Sequence, residues 1–99
     1  MKKINKLVKM IDEELDGAKC YAEKYVEYKA IGDSTWSNRF KEMANDELRH
    51  ANNIHDLAMQ EIEELNKVFV SPPEMQEKWD ESHIKYVDKA AWIKQMLAM

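Results

Sequence analysis

The stretch that decides the fold is residues 24–40, KYVEYKAIGDSTWSNRF. Aromatic and aliphatic residues step through it by threes and fours on both sides of Ile31-Gly32-Asp33-Ser34. Gly suits the residue just past a helix C-terminus, and Asp33 or Ser34 suits the N-cap of the next helix. This reads as two helices joined by a tight link. Working outward, the next break is Phe69-Val70-Ser71-Pro72-Pro73, where Ser71 and Glu74 have capping-box spacing with Pro in the first turn. The punctuation predicts three helices over about 3–30, 34–67 and 72–98.

Composition agrees. Ninety-nine residues with 44% hydrophobic content, 34% charged residues, two Gly and two Pro describe one helical domain over residues 1–99. A net charge of −4 argues against nucleic acid or an anionic membrane as the main partner. No apolar run reaches the length of about 18 that a membrane span needs. Cys20 is the one cysteine, so no internal disulfide forms, and a reducing, cytoplasmic setting is the natural reading.

Each helix carries an apolar seam. The first runs Ile4, Leu7, Ile11, Glu14, Ala18, Tyr21, Tyr25, Tyr28. The second runs Trp36, Phe40, Met43, Glu47, His50, Ile54, Leu57, with Ala44, Ala51 and Ala58 alongside. The third runs Trp79, His83, Tyr86, Ala90, Ile93, Leu97. So much apolar surface on three helices predicts burial against a partner, and a homodimer closing a four-helix bundle is the simplest solution.

Three seam residues do not belong there. A carboxylate kept from water needs a partner, yet Glu14 and Glu47 fall in the seams. His50 follows Glu47 by three, one turn along the same face, and a Glu-x-x-His pair can converge on one cation. In an antiparallel hairpin folded near Gly32, the level of Glu14 is reached near residue 50, within one turn of Glu47 and His50. Two hairpins facing each other supply four Glu and two His, the ligand set of a di-iron carboxylate bundle. Four carboxylates neutralise two divalent cations. The oxygen and nitrogen donors suit two ions of Fe or Mn per dimer better than a thiolate-seeking metal, with Zn as a further option.

Glu14, Tyr21 seven residues on, and Glu47-Leu-Arg-His50 together resemble the first half of the ferritin-like superfamily, rubrerythrin-type domains above all, across about Ile11 to Leu57. The resemblance implies Glu14, Glu47 and His50 as iron ligands and Tyr21 as a hydrogen-bond donor to a ligand carboxylate. The second half of such domains is missing: Asp80, not Glu, stands three before His83, and no fourth helix follows. In length and plan the chain is similar to the encapsulated ferritins, whose sites form between subunits and oxidise ferrous iron. That likeness implies a ferroxidase or iron-handling protein, a homodimer or higher homo-oligomer, and room for an enclosing shell protein as partner. No Cys-x-x-Cys pair is present for rubredoxin-like electron transfer.

Plainer readings stand beside these. A seam through Val8 and Leu15 puts Glu14 at the surface, and Glu47 with His50 then lies on a solvated flank. His83 reads as a core histidine, His55 as a surface or interface residue, Cys20 as a small buried hydrophobe and the seven Met as adaptable core filler. Glu13, Glu42, Asp46 and the run Glu61, Glu63, Glu64 read as solvent-facing. A non-enzymatic helical assembly protein, docking through Trp79, Tyr86 and Trp92, is the alternative function.

Overall fold

A computed structural model describes residues 2–68 and 73–99, and among them every regular element is α-helical. Helix α1 spans Lys2–Ala30, α2 spans Ser34–Val68 and α3 spans Pro73–Leu97. Part of the Ser71–Glu74 capping box lies outside the described residues.

The link between α1 and α2 is short because both helix ends are satisfied within it. Gly32 adopts φ +79°, the left-handed conformation that ends α1. Its N–H donates to the Lys29 carbonyl at 3.1 Å, and the Asp33 N–H donates to the Tyr28 carbonyl at 3.0 Å. Those two bonds make a Schellman motif. Asp33 then begins the next helix: its side chain accepts from the Trp36 N–H at 3.1 Å, so Asp33, rather than Ser34, is the N-cap.

Contacts fix the helix directions. Lys3 meets Glu61, Glu14 meets His50, Tyr21 meets Phe40 and Tyr28 meets Trp36. Numbers rise on α1 as they fall on α2, so the two run antiparallel. Lys89 pairs with Asp16, and Lys29 donates to the Met99 carbonyl, so α3 runs parallel to α1. The assembly is a rod of 55 × 17 × 17 Å.

The core between the helices is built on small residues. Ala18 and Ala22 of α1 and Ala44, Ala51 and Ala58 of α2 are fully buried, with Ile11, Leu15 and Ile93 the largest side chains sealed from solvent. Alanine lets backbones approach closely, and each sealed aliphatic side chain contributes about 1.5–3 kcal/mol. A second cluster, Ile4, Ala58, Ile62 and Trp79, closes the far end of the rod.

This arrangement corrects the seam expected for α2. The buried stripe is Ser37, Ala44, Leu48, Ala51, His55, Ala58 and Ile62, rotated toward the alanines that lie beside the expected seam. On α1, Leu15 enters the core and Glu14 sits at its edge. Alanine lets α1 and α2 pack closely along this stripe, while Phe40 and Ile54 pack against the core only in part and Trp36, Met43 and Leu57 stay outside. Other expectations shift too. His55 is buried and His83 exposed, the reverse of the reading from spacing, and Cys20 is exposed. Among the described methionines only Met75 is buried, while Met10, Met43, Met59 and Met99 are exposed. Glu13, Glu42, Asp46, Glu63 and Glu64 face solvent as expected, whereas Glu61 is partly covered and pairs with Lys3 at 3.3 Å.

Candidate metal centre

Near mid-rod, α1 delivers Glu14 and α2 delivers Glu47 and His50 to one place. One donor atom from each lies within 4.8 Å of the other two. The Glu14 Oε2 to His50 Nδ1 distance is 3.5 Å. Donors on a single ion stand at most about 4.4 Å apart, twice a bond of about 2.2 Å, so the three are already near coordinating distance. The triad is not deeply buried: Glu14 and Glu47 are half-buried and His50 is exposed.

Electrostatics sets the two carboxylates of the cluster against each other. Hydrogen bonding to Glu14 raises the Glu47 pKa above the usual 4.5, partial burial and repulsion from Glu14 add to it, and His50 opposes it. Two carboxylates this close favour holding a proton between them. A divalent ion would take that proton's place, and two oxygens with one imidazole nitrogen fit Fe, Mn or Zn.

Gly17, one turn after Glu14, explains how Glu47 fits. A Cβ at this position would stand 3.0 Å from Glu47 Oε2 and 3.4 Å from its Cδ. The glycine therefore gives up helix propensity to seat the Glu47 carboxylate against α1. The sequence carried a signal for this, a glycine inside a helix, but not which side chain fills the space.

Tyr21 lies on the same stripe, and its ring stacks on Phe40 with centroids 6.1 Å apart. Among the described residues no hydrogen bond joins its hydroxyl to either carboxylate. Tyr28 continues the stack, 5.6 Å from Phe40 and 5.7 Å from Trp36.

Several apolar side chains are exposed along the two helices that carry the triad. Trp36 is 55% exposed, Met43 39%, Leu57 55% and, on α1, Met10 47%. Trp36, Met43 and Leu57 belong to the expected α2 seam, and Met10 lies beside the expected α1 seam. Met10 is one turn from Glu14 and Met43 one turn from Glu47, while Leu57 and Trp36 lie about two and three turns from the triad along α2.

Comparison with known proteins returns nothing similar: no family model, no curated protein and no solved structure matches the chain. No described helix is long and apolar enough to cross a membrane.

Proposed function

We propose that the chain is a ferritin-like half-bundle. Two copies would pack through the open faces of α1 and α2, closing a four-helix bundle around two Glu14/Glu47/His50 triads that hold two divalent ions. Ferrous iron is the favoured ion, and its handling or oxidation by dioxygen is the activity. Iron bound there would supply the redox chemistry. The chain's own part is to supply donors, neutralise charge and leave coordination positions open.

The observation that carries this reading is the convergence of two carboxylates and an imidazole from two helices, with exposed Met10 and Met43 one turn away on either helix. A solvated acidic patch needs no such apolar neighbours, which a second copy would cover. A side of a rod 55 Å long and 17 Å wide is on the scale of the roughly 800 Å² per partner that stable dimers bury. The resemblance to encapsulated ferritins points the same way, including an enclosing shell protein and a hydrogen-bonding part for Tyr21 once the second copy is in place.

The alternative, a non-enzymatic assembly protein docking through α3, has less support. Trp79 is buried and Tyr86 stacks on His55 at 4.5 Å, leaving Trp92 as the exposed aromatic of the three.

Anaerobic titration with ferrous iron, followed by analytical ultracentrifugation, tests the proposal. About one iron per chain in a dimer or larger oligomer is expected, with binding lost in Glu47→Ala and His50→Ala variants that keep their helix content. A monomer that binds no iron, manganese or zinc refutes it. Oxidation of bound ferrous iron on admitting air, slowed in Glu14→Ala, distinguishes a ferroxidase from a binder.

A further inference from the structure

A second group of polar side chains lies away from the triad, where α3 crosses α2. His55 is only 6% exposed. Its Nε2 stands 2.8 Å from Nδ1 of His83, which is exposed on α3. Aromatic rings hold the buried imidazole: Tyr86 stacks on it at 4.5 Å and 13°, and Trp79 at 5.3 Å and 29°. The Tyr86 hydroxyl in turn donates to Asn52 Oδ1 at 3.1 Å, a second polar tie between the same helices.

An imidazole–imidazole contact of this length needs one nitrogen to donate and the other to accept. The pair can therefore hold one shared proton, and one excess proton beyond that, but two imidazolium rings leave no lone pair between them and place like charges in contact. We propose that His55 and His83 form a proton-operated clasp that fastens α3 to α2 and opens in mild acid.

The surroundings reinforce the clasp. Burial and repulsion from His83 lower the His55 pKa, while Asp56 at 3.9 Å opposes this only in part. The charged or titratable groups acting on His55 are thus His83 from α3 and Asp56 from its own helix, with Tyr86 against its face; none acts on it from α1. At this end of the rod α1 contributes apolar Ile4, Leu7 and Val8. A neutral His55 therefore belongs to the closed state. His55 takes up its proton in the unfolded chain before it does so in the folded one as pH falls below about 6.5, so the contribution of a neutral His55 to the clasp is complete above that value and declines below it. Release of α3 would separate Trp79 from Ile4, Ala58 and Ile62, the apolar cluster at this end of the rod.

Urea unfolding of the full chain, with EDTA present to exclude a metal bridge, tests the clasp at about pH 7.5 and pH 5.5. The comparison variant is His83→Gln, which keeps a hydrogen-bonding side chain at an exposed position and cannot titrate. Between the two pH values the unfolding constant is expected to rise about tenfold more in the wild-type chain than in the variant, the factor an ordinary buried hydrogen bond supports. In the variant, the His55 ring nitrogens followed by NMR should take up their proton at higher pH. Equal pH responses in the two proteins, or a His55 titration unmoved by His83→Gln, would overturn the proposal.

Discussion

Replacing Gly17 by Ala sets two effects against each other. Mid-helix glycine costs about 1 kcal/mol relative to alanine, so the substitution stabilises α1 by that order. Against this, the new Cβ meets Glu47 Oε2 at 3.0 Å, tighter than ordinary contact. The neighbour is the far end of a flexible side chain, so Glu47 can swing away by a few tenths of an ångström at small cost. Helix propensity wins for the fold and the metal loses. The metal-free Gly17→Ala protein should melt about 4–8 °C higher, the shift that 1 kcal/mol produces in a domain of this size. Its affinity for a divalent ion should fall about 10–100-fold, the usual penalty for disturbing the groups that orient a ligand. Differential scanning calorimetry of the apo protein and isothermal titration with manganese, which avoids oxidation, measure the two quantities. A variant that binds manganese as tightly as the wild-type chain would show that Gly17 does not position Glu47. A variant that melts lower would show that the carboxylate cannot yield.

Three further outcomes are expected. Glu47 holds its proton more tightly folded than unfolded, so the metal-free protein loses stability as pH rises through the interval above 4.5; Glu47→Gln should flatten that slope in urea unfolding, and an unchanged slope would remove Glu47 as its source. Leu57→Glu, at a side chain already 55% exposed, should leave the monomer's melting nearly unaltered while breaking the proposed dimer in ultracentrifugation; an unchanged sedimentation profile moves the interface elsewhere. Leu15→Ala removes a fully buried side chain and should cost about 2–5 kcal/mol by chemical denaturation, whereas a cost below 1 kcal/mol would contradict the packing of this core.

Much of this molecule was legible before its structure. Helix ends at Gly32 and near Pro73 follow from residues with one dominant local use, and they lie within a residue or two of expectation. The meeting of Glu14 with Glu47 and His50 follows from counting back from a short link, because helix rise per residue is constant. What spacing could not assign was which apolar stripe faces inward. Periodicity marks every apolar stripe alike, and on α2 Trp36, Met43 and Leu57 stay outside and Phe40 and Ile54 go in only partly, while Ala44, Ala51 and Ala58 are fully buried. The alanines carried that information, since close helix packing selects small residues. The spacing misassigns His55 and His83 for a related reason: which histidine is buried depends on how α3 packs alongside α2, and no single helix's pattern contains that contact.

The matched pairs along α1 and α2 have a consequence for how firmly the triad is held. Lys3 with Glu61 and Tyr28 with Trp36 keep the same alignment as Glu14 with His50. Sliding one helix along the other by a turn, about 5.4 Å, would break all three pairings together, so the hairpin behaves as a vernier with one legible setting. The spacing of the donor atoms is thus calibrated far from the donors, and tampering at the Tyr28–Trp36 end would register as lost accuracy at Glu14.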